Sequence, residues 1–195
     1  MRVVFLGPPG SGKGTQAKLL ARRLKVPAIS TGDILRAAVR DRTPLGVQAQ
    51  AVMERGELVS DDLIVALIRE RTAARDAREG FVLDGFPRTL DQGKALEKLL
   101  SENEEGLSAV VNFGVPEPVL VERMLRRAGA EGRADDRPET IRERLRVYRE
   151  KTEPLASFYR ERDLLADVDG VGAVEEVAAR IDEALTSVRR AGGRA

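Results

Sequence analysis

Nine residues near the start of the chain, Gly7-Pro8-Pro9-Gly10-Ser11-Gly12-Lys13-Gly14-Thr15, bring four glycines, two hydroxyls and a lysine together. Glycines let the backbone bend closely around an anion, so that several N–H groups converge on it. A helix opening at Lys13 adds the positive end of its dipole, and the ammonium reaches the outer phosphates of a nucleotide. The Gly-x4-Gly-Lys spacing alone is moderately specific. Its placement adds weight, because it follows the apolar run Val3-Val4-Phe5-Leu6 and precedes an amphipathic stretch. The bland alternative, a glycine-rich turn carrying a solvated lysine, does not require that context. The hydroxyl that usually follows the lysine directly arrives one place later, at Thr15, so direct magnesium ligation by it is not expected.

Further along, Asp84 ends an apolar run and is followed by Gly85-Phe86-Pro87-Arg88. A carboxylate at the C-terminal end of a parallel strand, facing a phosphate loop, is where magnesium and its waters are usually held. It could instead only cap the turn before Thr89. Gly85 and Pro87 enforce a tight turn that aims Arg88 into a cleft, the alternative being a solvated surface arginine. Arg144 falls inside the apolar stripe Ile141, Leu145, Tyr148, where a charge is costly without a partner. That partner is a phosphate, which suits a guanidinium fork, or an internal ion pair with Asp135 or Asp136. Arg123 and Arg127 lie one helical turn apart and could reach one ligand or form a solvated basic face. Thr31 and Asp33 could serve a ligand, cap the helix containing Ile34 and Leu35, or do both.

Composition narrows the chemistry. The 195 residues contain no Cys and no His, which removes disulfides, thiolate nucleophiles, Ser-His triads and ordinary zinc sites. What remains is Lys, Arg, carboxylates, hydroxyls, backbone amides and a borrowed metal, a set suited to phosphoryl transfer. The net charge of +1 and 4% aromatic content give no basic stripe with stacking platforms, so no nucleic-acid partner is expected. No apolar run is long enough to span a bilayer and the N-terminus lacks a secretory pattern, so a cytoplasmic protein is expected. No Asn-Lys-x-Asp string is present, which weighs against a nucleotide-switched binding module.

Hydrophobic patterning supplies the frame. Arg2–Leu6, Val26–Ile29, Phe81–Leu83, Ala109–Phe113 and Leu164–Val168 read as strands, with helical patterns such as Lys13–Leu24 between them. This alternation predicts an α/β fold with a parallel sheet covered on both faces and right-handed crossovers. Residues 30–60 hold two or three short helices around Thr43-Pro44-Leu45-Gly46 and read as a helical insert. Residues 128–137 are polar and glycine-rich and read as a flexible surface loop. Residues 189–195 are expected to form a disordered tail.

Four motifs in order resemble the adenylate kinases: Gly7–Thr15; Ile29-Ser30-Thr31-Gly32-Asp33-Ile34-Leu35-Arg36; Leu83-Asp84-Gly85-Phe86-Pro87-Arg88-Thr89 with Gln92; and Gly132-Arg133-Ala134-Asp135-Asp136 with Thr140–Leu145. The resemblance runs from Met1 to about Leu185. It implies a P-loop three-layer α/β/α fold with a five-stranded sheet. The core would comprise 1–29, 61–127 and 138–188, with a monophosphate-binding insert at 30–60 and a short lid at 128–137. By resemblance, Gly10, Ser11, Gly12, Lys13, Gly14 and Thr15 would cradle the ATP phosphates. Arg123 and Arg127 would serve the ATP side, and the Gly172 backbone would meet adenine. Thr31, Arg36, Leu58, Val59, Gly85, Phe86, Pro87, Arg88 and Gln92 would hold AMP, with Glu57 contributing mainly backbone. Lys13, Arg88, Arg123, Arg133 and Arg144 would neutralise the moving phosphoryl, the last two closing over both substrates. Mg²⁺ would accompany ATP, held through water by Asp84. The short lid and absence of Cys imply no structural zinc, and the chain is expected to act as a monomer. The reaction implied is ATP + AMP ⇌ 2 ADP, with AMP favoured over UMP or CMP because Thr31 stands where pyrimidine kinases tend to carry a smaller residue. A P-loop kinase for another small acceptor is the alternative.

Overall fold

The computed structural model describes residues 1–131 and 134–192. Five strands, β1 (Arg2–Leu6), β2 (Ala28–Ser30), β3 (Phe81–Asp84), β4 (Ala109–Gly114) and β5 (Leu165–Asp169), form one sheet in the order β2-β3-β1-β4-β5. Every pairing in it is parallel. The strands expected at 26–29 and 164–168 each sit slightly later in the sequence. Alternate residues of β1 face opposite ways, as the two-residue period of a strand requires. Val4 and Leu6 join Ile29, Leu83 and Val110 in a cluster completed by Leu35, Ile68, Leu96, Leu155 and Tyr159. Val3 and Phe5 join Val82, Val111 and Phe113 against Ala17, Leu20, Val177 and Ile181. Two apolar clusters on opposite faces make a three-layer α/β/α sandwich.

One face is covered by α1 (Lys13–Leu24) and α9 (Val174–Gly192). The other receives α2 (Thr31–Arg40), α4 (Asp61–Ala73), α5 (Leu90–Ser101) and α8 (Pro154–Arg160). Between α2 and α4 lies α3 (Pro44–Glu54), with Pro44 in its first turn and Thr43 capping it by accepting from Gly46 N–H at 3.1 Å. The insert read at 30–60 therefore holds two helices. α6 (Glu117–Glu131) and α7 (Pro138–Val147) pack through Leu120, Met124, Ile141 and Leu145.

Two segments carry secondary structure where a loop and a tail were expected. Residues 128–131 continue α6, and Ala134–Asp136 form a 3₁₀ turn. The cause is Asp136, whose fully buried carboxylate accepts two hydrogen bonds from Arg127 and anchors the turn against α6. Likewise α9 runs on to Gly192, beyond the tail expected from 189. Positions 193–195 lie outside the described residues.

Candidate active site

Because all five strands run the same way, their C-terminal ends gather at one edge, where an open α/β sheet places its ligands. The loop from Gly7 to Gly12 leaves β1 there. Gly10 and Gly12 adopt φ of +84° and +93°, the left-handed region that glycine enters without strain. The Lys13 ammonium folds back over this loop, donating to Gly7 O at 2.7 Å, Pro8 O at 2.8 Å and Ser11 Oγ at 3.2 Å. Desolvation lowers its pKa to about 8, while the facing Asp84 carboxylate pulls the other way. An anion in the loop would restore the missing charge balance.

Asp84 ends β3 in register with Phe5 of β1 and Ser30 of β2. Ser30 donates its hydroxyl to Asp84 Oδ2 at 3.3 Å and accepts from Asp33 N–H at 3.3 Å, so Ser30 caps α2. The cap expected at Thr31 or Asp33 thus falls one residue earlier. Thr31, buried in the first turn of α2, instead donates its hydroxyl to Gly85 O at 2.8 Å. Arg88 Nε donates to the same carbonyl at 2.8 Å. Thr89, not Asp84, caps α5 by accepting from Gln92 N–H at 3.1 Å. Arg88 is therefore no solvated surface residue. Desolvation first, then the neighbouring Arg144, depresses its pKa to about 10.

Arg144 makes the internal ion pairs open to it. It donates to Asp135 O at 2.9 Å and pairs with Asp135 Oδ2 at 3.2 Å and with the buried Asp136. Desolvation lowers its pKa, with both carboxylates opposing the shift. Arg36 pairs with Asp33 at 2.6 Å and reaches Asp135 at 3.6 Å, joining α2 to the 134–136 turn. Thr140 Oγ1 donates to Glu54 O at 3.2 Å, a second link, this one between α7 and α3.

These groups line one continuous cavity of about 460 Å³. Its lining brings together Gly10–Thr15 of the phosphate loop, Thr31, Leu58, Val59, Pro87 and Gln92, and the charged side chains of Asp84, Arg88, Arg127 and Arg144. Arg36, Glu57 and Gly85 line it too. Among the described residues, seven guanidinium or ammonium groups line this cleft against the four carboxylates of Asp33, Glu57, Asp84 and Asp135, and that excess of positive charge favours anions. The arrangement can hold two phosphate chains end to end and neutralise a phosphoryl passing between them.

Comparison with known proteins agrees with this geometry. A sequence profile of the family described as Adenylate kinase matches residues 5–164. The chain is 57% identical over 183 residues to an adenylate kinase of Thermus thermophilus, covering 94% of this chain and 96% of the relative. It is 52% identical over 185 residues to an adenylate kinase of Xanthomonas campestris pv. campestris, covering 95% and 99% respectively. The chain belongs to the adenylate kinase family. Its enzymes are phosphotransferases, and the P-loop fold described above is that of an adenylate kinase.

Not every residue that resemblance assigned to the adenylate kinase site lines the cavity. Phe86 is buried in the core and does not line the cavity. Arg133 lies outside the described residues. Arg123 and Arg127 part company: Arg127 lines the cavity, whereas Arg123 donates to Gly170 O at 3.1 Å, beside the loop between β5 and α9. Positions four apart share a helix face, but long side chains diverge when their partners differ. In the same loop Arg180 donates to Asp169 O at 2.9 Å and Val171 O at 2.5 Å, so three successive carbonyls are held by arginines. Gly172, with φ of +128°, follows them. Sequence reasoning missed Tyr148 and Thr152, which line the cavity from a π-turn at Tyr148–Thr152. Thr152 donates to Arg88 O at 2.8 Å. No sequence pattern announces a π-turn, although the Tyr148 of the α7 stripe was a partial signal.

Proposed function

We propose that this chain catalyses ATP + AMP ⇌ 2 ADP. The observation that supports this reading best is the single cavity shared by the phosphate loop, the Lys13–Arg88–Arg127–Arg144 cation group and the Thr31–Gln92 end. In this reading the donor phosphates lie against Gly10, Ser11, Gly12, Lys13, Gly14 and Thr15, with Arg127 above them. The donor adenine meets the Gly172 backbone, and Arg123 serves that end of the site, where its hydrogen bond to Gly170 O already holds the loop. The acceptor monophosphate lies against Thr31, Arg36, Glu57, Leu58, Val59, Gly85, Pro87, Arg88 and Gln92. Arg133 and Arg144 close over both.

A monophosphate dianion is ionised near neutral pH and needs no general base, which agrees with a chain lacking His. Transfer then depends on alignment and charge. Lys13 holds the outer donor phosphates, Arg88 the acceptor phosphate, and Arg144 the group between them. Water must be kept out, since it competes as acceptor, and in this reading the 134–136 turn, which Arg36 and Asp135 tie to α2, does so. The donor set also fits a magnesium ion: Mg²⁺ takes one or two carboxylates, its own waters and substrate phosphates, and Asp84 supplies a carboxylate over the phosphate loop. When bound, the ion would neutralise phosphate charge. Among the described residues no group of three or more acidic side chains gathers as a dedicated all-protein cage. We read the enzyme as a cytoplasmic monomer acting on small molecules. Among the described residues no helix is long and apolar enough to cross a membrane.

The test is a compound of two adenosines bridged by five phosphates, with AMP, UMP, CMP and GMP compared as acceptors in a coupled assay for ADP. Tight, competitive binding against both ATP and AMP and a strong preference for AMP are expected. Failure to bind the bridged compound overturns the shared-cavity reading, and preference for UMP or CMP overturns the acceptor.

A further inference from the structure

Gln92 is 2% exposed and lines the cavity, and its side-chain amide is bonded to a carboxylate that does not line it. Its Nε2 donates to Asp61 Oδ1 at 2.7 Å, and its Oε1 accepts from Arg88 N–H at 2.7 Å. Asp61 Oδ2 accepts in turn from Thr89 Oγ1 at 2.8 Å. Asp61 is the first residue of α4, where the chain leaves the α2–α3 insert and where a negative charge is favoured by the helix dipole. It does not line the cavity.

An ionised carboxylate only accepts hydrogen bonds, and a backbone N–H only donates. Between those two partners the Gln92 amide has one permitted orientation. Turning it over would set its oxygen against the Asp61 carboxylate and its NH₂ against the Arg88 N–H, losing two hydrogen bonds and adding two repulsions. In the permitted orientation one amide hydrogen and one oxygen lone pair remain for a ligand. An adenine edge offers the matching pair, an acceptor at N1 and a donor at the 6-amino group. A 6-oxopurine edge offers the reverse, a donor at N1 and an acceptor at O6.

We propose that Asp61 is a specificity-determining positioning residue, which selects a 6-aminopurine monophosphate over a 6-oxopurine by fixing the Gln92 amide. The inference rests on the reading that Gln92 faces the acceptor base. Asp61 touches no substrate; it acts only through Gln92 and through the Arg88 peptide that Gln92 holds. Thr152 donates to Arg88 O, in the next peptide group, at 2.8 Å, so Arg88 keeps its place when one of the two contacts weakens.

The experiment compares Asp61→Asn with the wild type, using AMP and IMP as acceptors and ATP as donor. Asparagine keeps the shape but presents a donor as readily as an acceptor, so the flipped amide loses the half of its penalty that Asp61 imposes, while the half imposed by the Arg88 N–H remains. The KM for AMP should rise roughly tenfold and the AMP-over-IMP ratio of kcat/KM should fall roughly tenfold. The KM for ATP should stay within twofold. A general loosening of the fold would raise both KM values and leave the AMP-over-IMP ratio unchanged, and that result overturns the proposal. Asp61→Ala, which removes the acceptor, should act in the same direction, and whichever variant keeps the wild-type far-ultraviolet spectrum and melting behaviour carries the test. If the wild type itself fails to use AMP, the acceptor reading has failed. If it uses AMP and rejects IMP while both variants keep that ratio, the role of Asp61 has failed.

Discussion

Replacing Arg144 with alanine separates what this residue does for the fold from what it does for the reaction. In the structure its guanidinium holds Asp135 O, the Asp135 carboxylate and the buried Asp136. Orphaning a buried charge costs about 3–5 kcal/mol. Asp136 is not orphaned here, since Arg127 still binds it through Nε–Oδ2 at 2.6 Å and Nη2–Oδ1 at 2.8 Å. The loss should therefore lie below that range, at about 2 kcal/mol. For a chain of this size that is a fall in melting temperature of about 4–8 °C. The chemical step loses one preorganised charge, on the order of 10²–10³ in kcat, or about 2.7–4 kcal/mol of barrier. Thermal melting followed by circular dichroism and a coupled ADP-forming assay at 25 °C read the two effects independently. A variant that melts lower but turns over at the wild-type rate would show Arg144 to be structural only, and the phosphoryl-neutralising role would have to be withdrawn.

Other outcomes follow from single groups. Lys13 has its folded pKa lowered from 10.5 to about 8, so the free enzyme sheds this proton as pH rises through about 8 while the unfolded chain keeps it up to 10.5. An anionic nucleotide must bring the proton back, so ATP affinity measured by calorimetry should fall above about pH 8, by at most tenfold per pH unit, with uptake of a proton from buffer. Over the same window Lys13 contributes a rise in stability with pH, because the unfolded state then binds more protons than the folded one. An affinity flat from pH 7 to 10 would mean that Lys13 keeps its ordinary pKa. Gly85→Ala places a methyl at φ of +81° within 2.9 Å of both Arg88 Nη2 and Thr31 Oγ1. It should cost about 1–2 kcal/mol of stability and raise the KM for AMP several-fold more than that for ATP, as steady-state kinetics would report. Equal effects on both substrates would separate Gly85 from the acceptor end.

The parts of this enzyme that depend on short-range pattern were visible in its sequence. β1, the phosphate loop and α1 form a strand–turn–helix unit whose glycines, lysine and apolar stripe lie within 24 residues, so local chemistry decides it. The same holds for Arg144, whose place in an apolar stripe marked it as needing an anion. What stayed hidden depends on contacts between distant residues. The order at 134–136 comes from Asp136 meeting Arg127 and Arg144, a gain that composition cannot register. The divergence of Arg123 from Arg127 needs Gly170, 47 positions away, to be in place. Asp61 reads in sequence as an ordinary acidic residue in the first turn of a helix, and only the arrival of Gln92 and Thr89 gives it work.

The arginine-bound carbonyls at the end of β5 have a consequence for how the donor end evolves. Gly170 N–H is taken by Gly114 O, Val171 N–H by the Asp169 side chain, and Ala173 N–H by Glu176. With Asp169, Gly170 and Val171 oxygens also engaged, the peptide groups of Gly172 are what this loop keeps in reserve among the described residues. On the proposed reading the donor base meets the Gly172 main chain, and a base read that way is indifferent to which side chains surround it. Substitutions can then accumulate along the rim while the ligand preference is inherited unchanged, so long as residue 172 tolerates its φ of +128°.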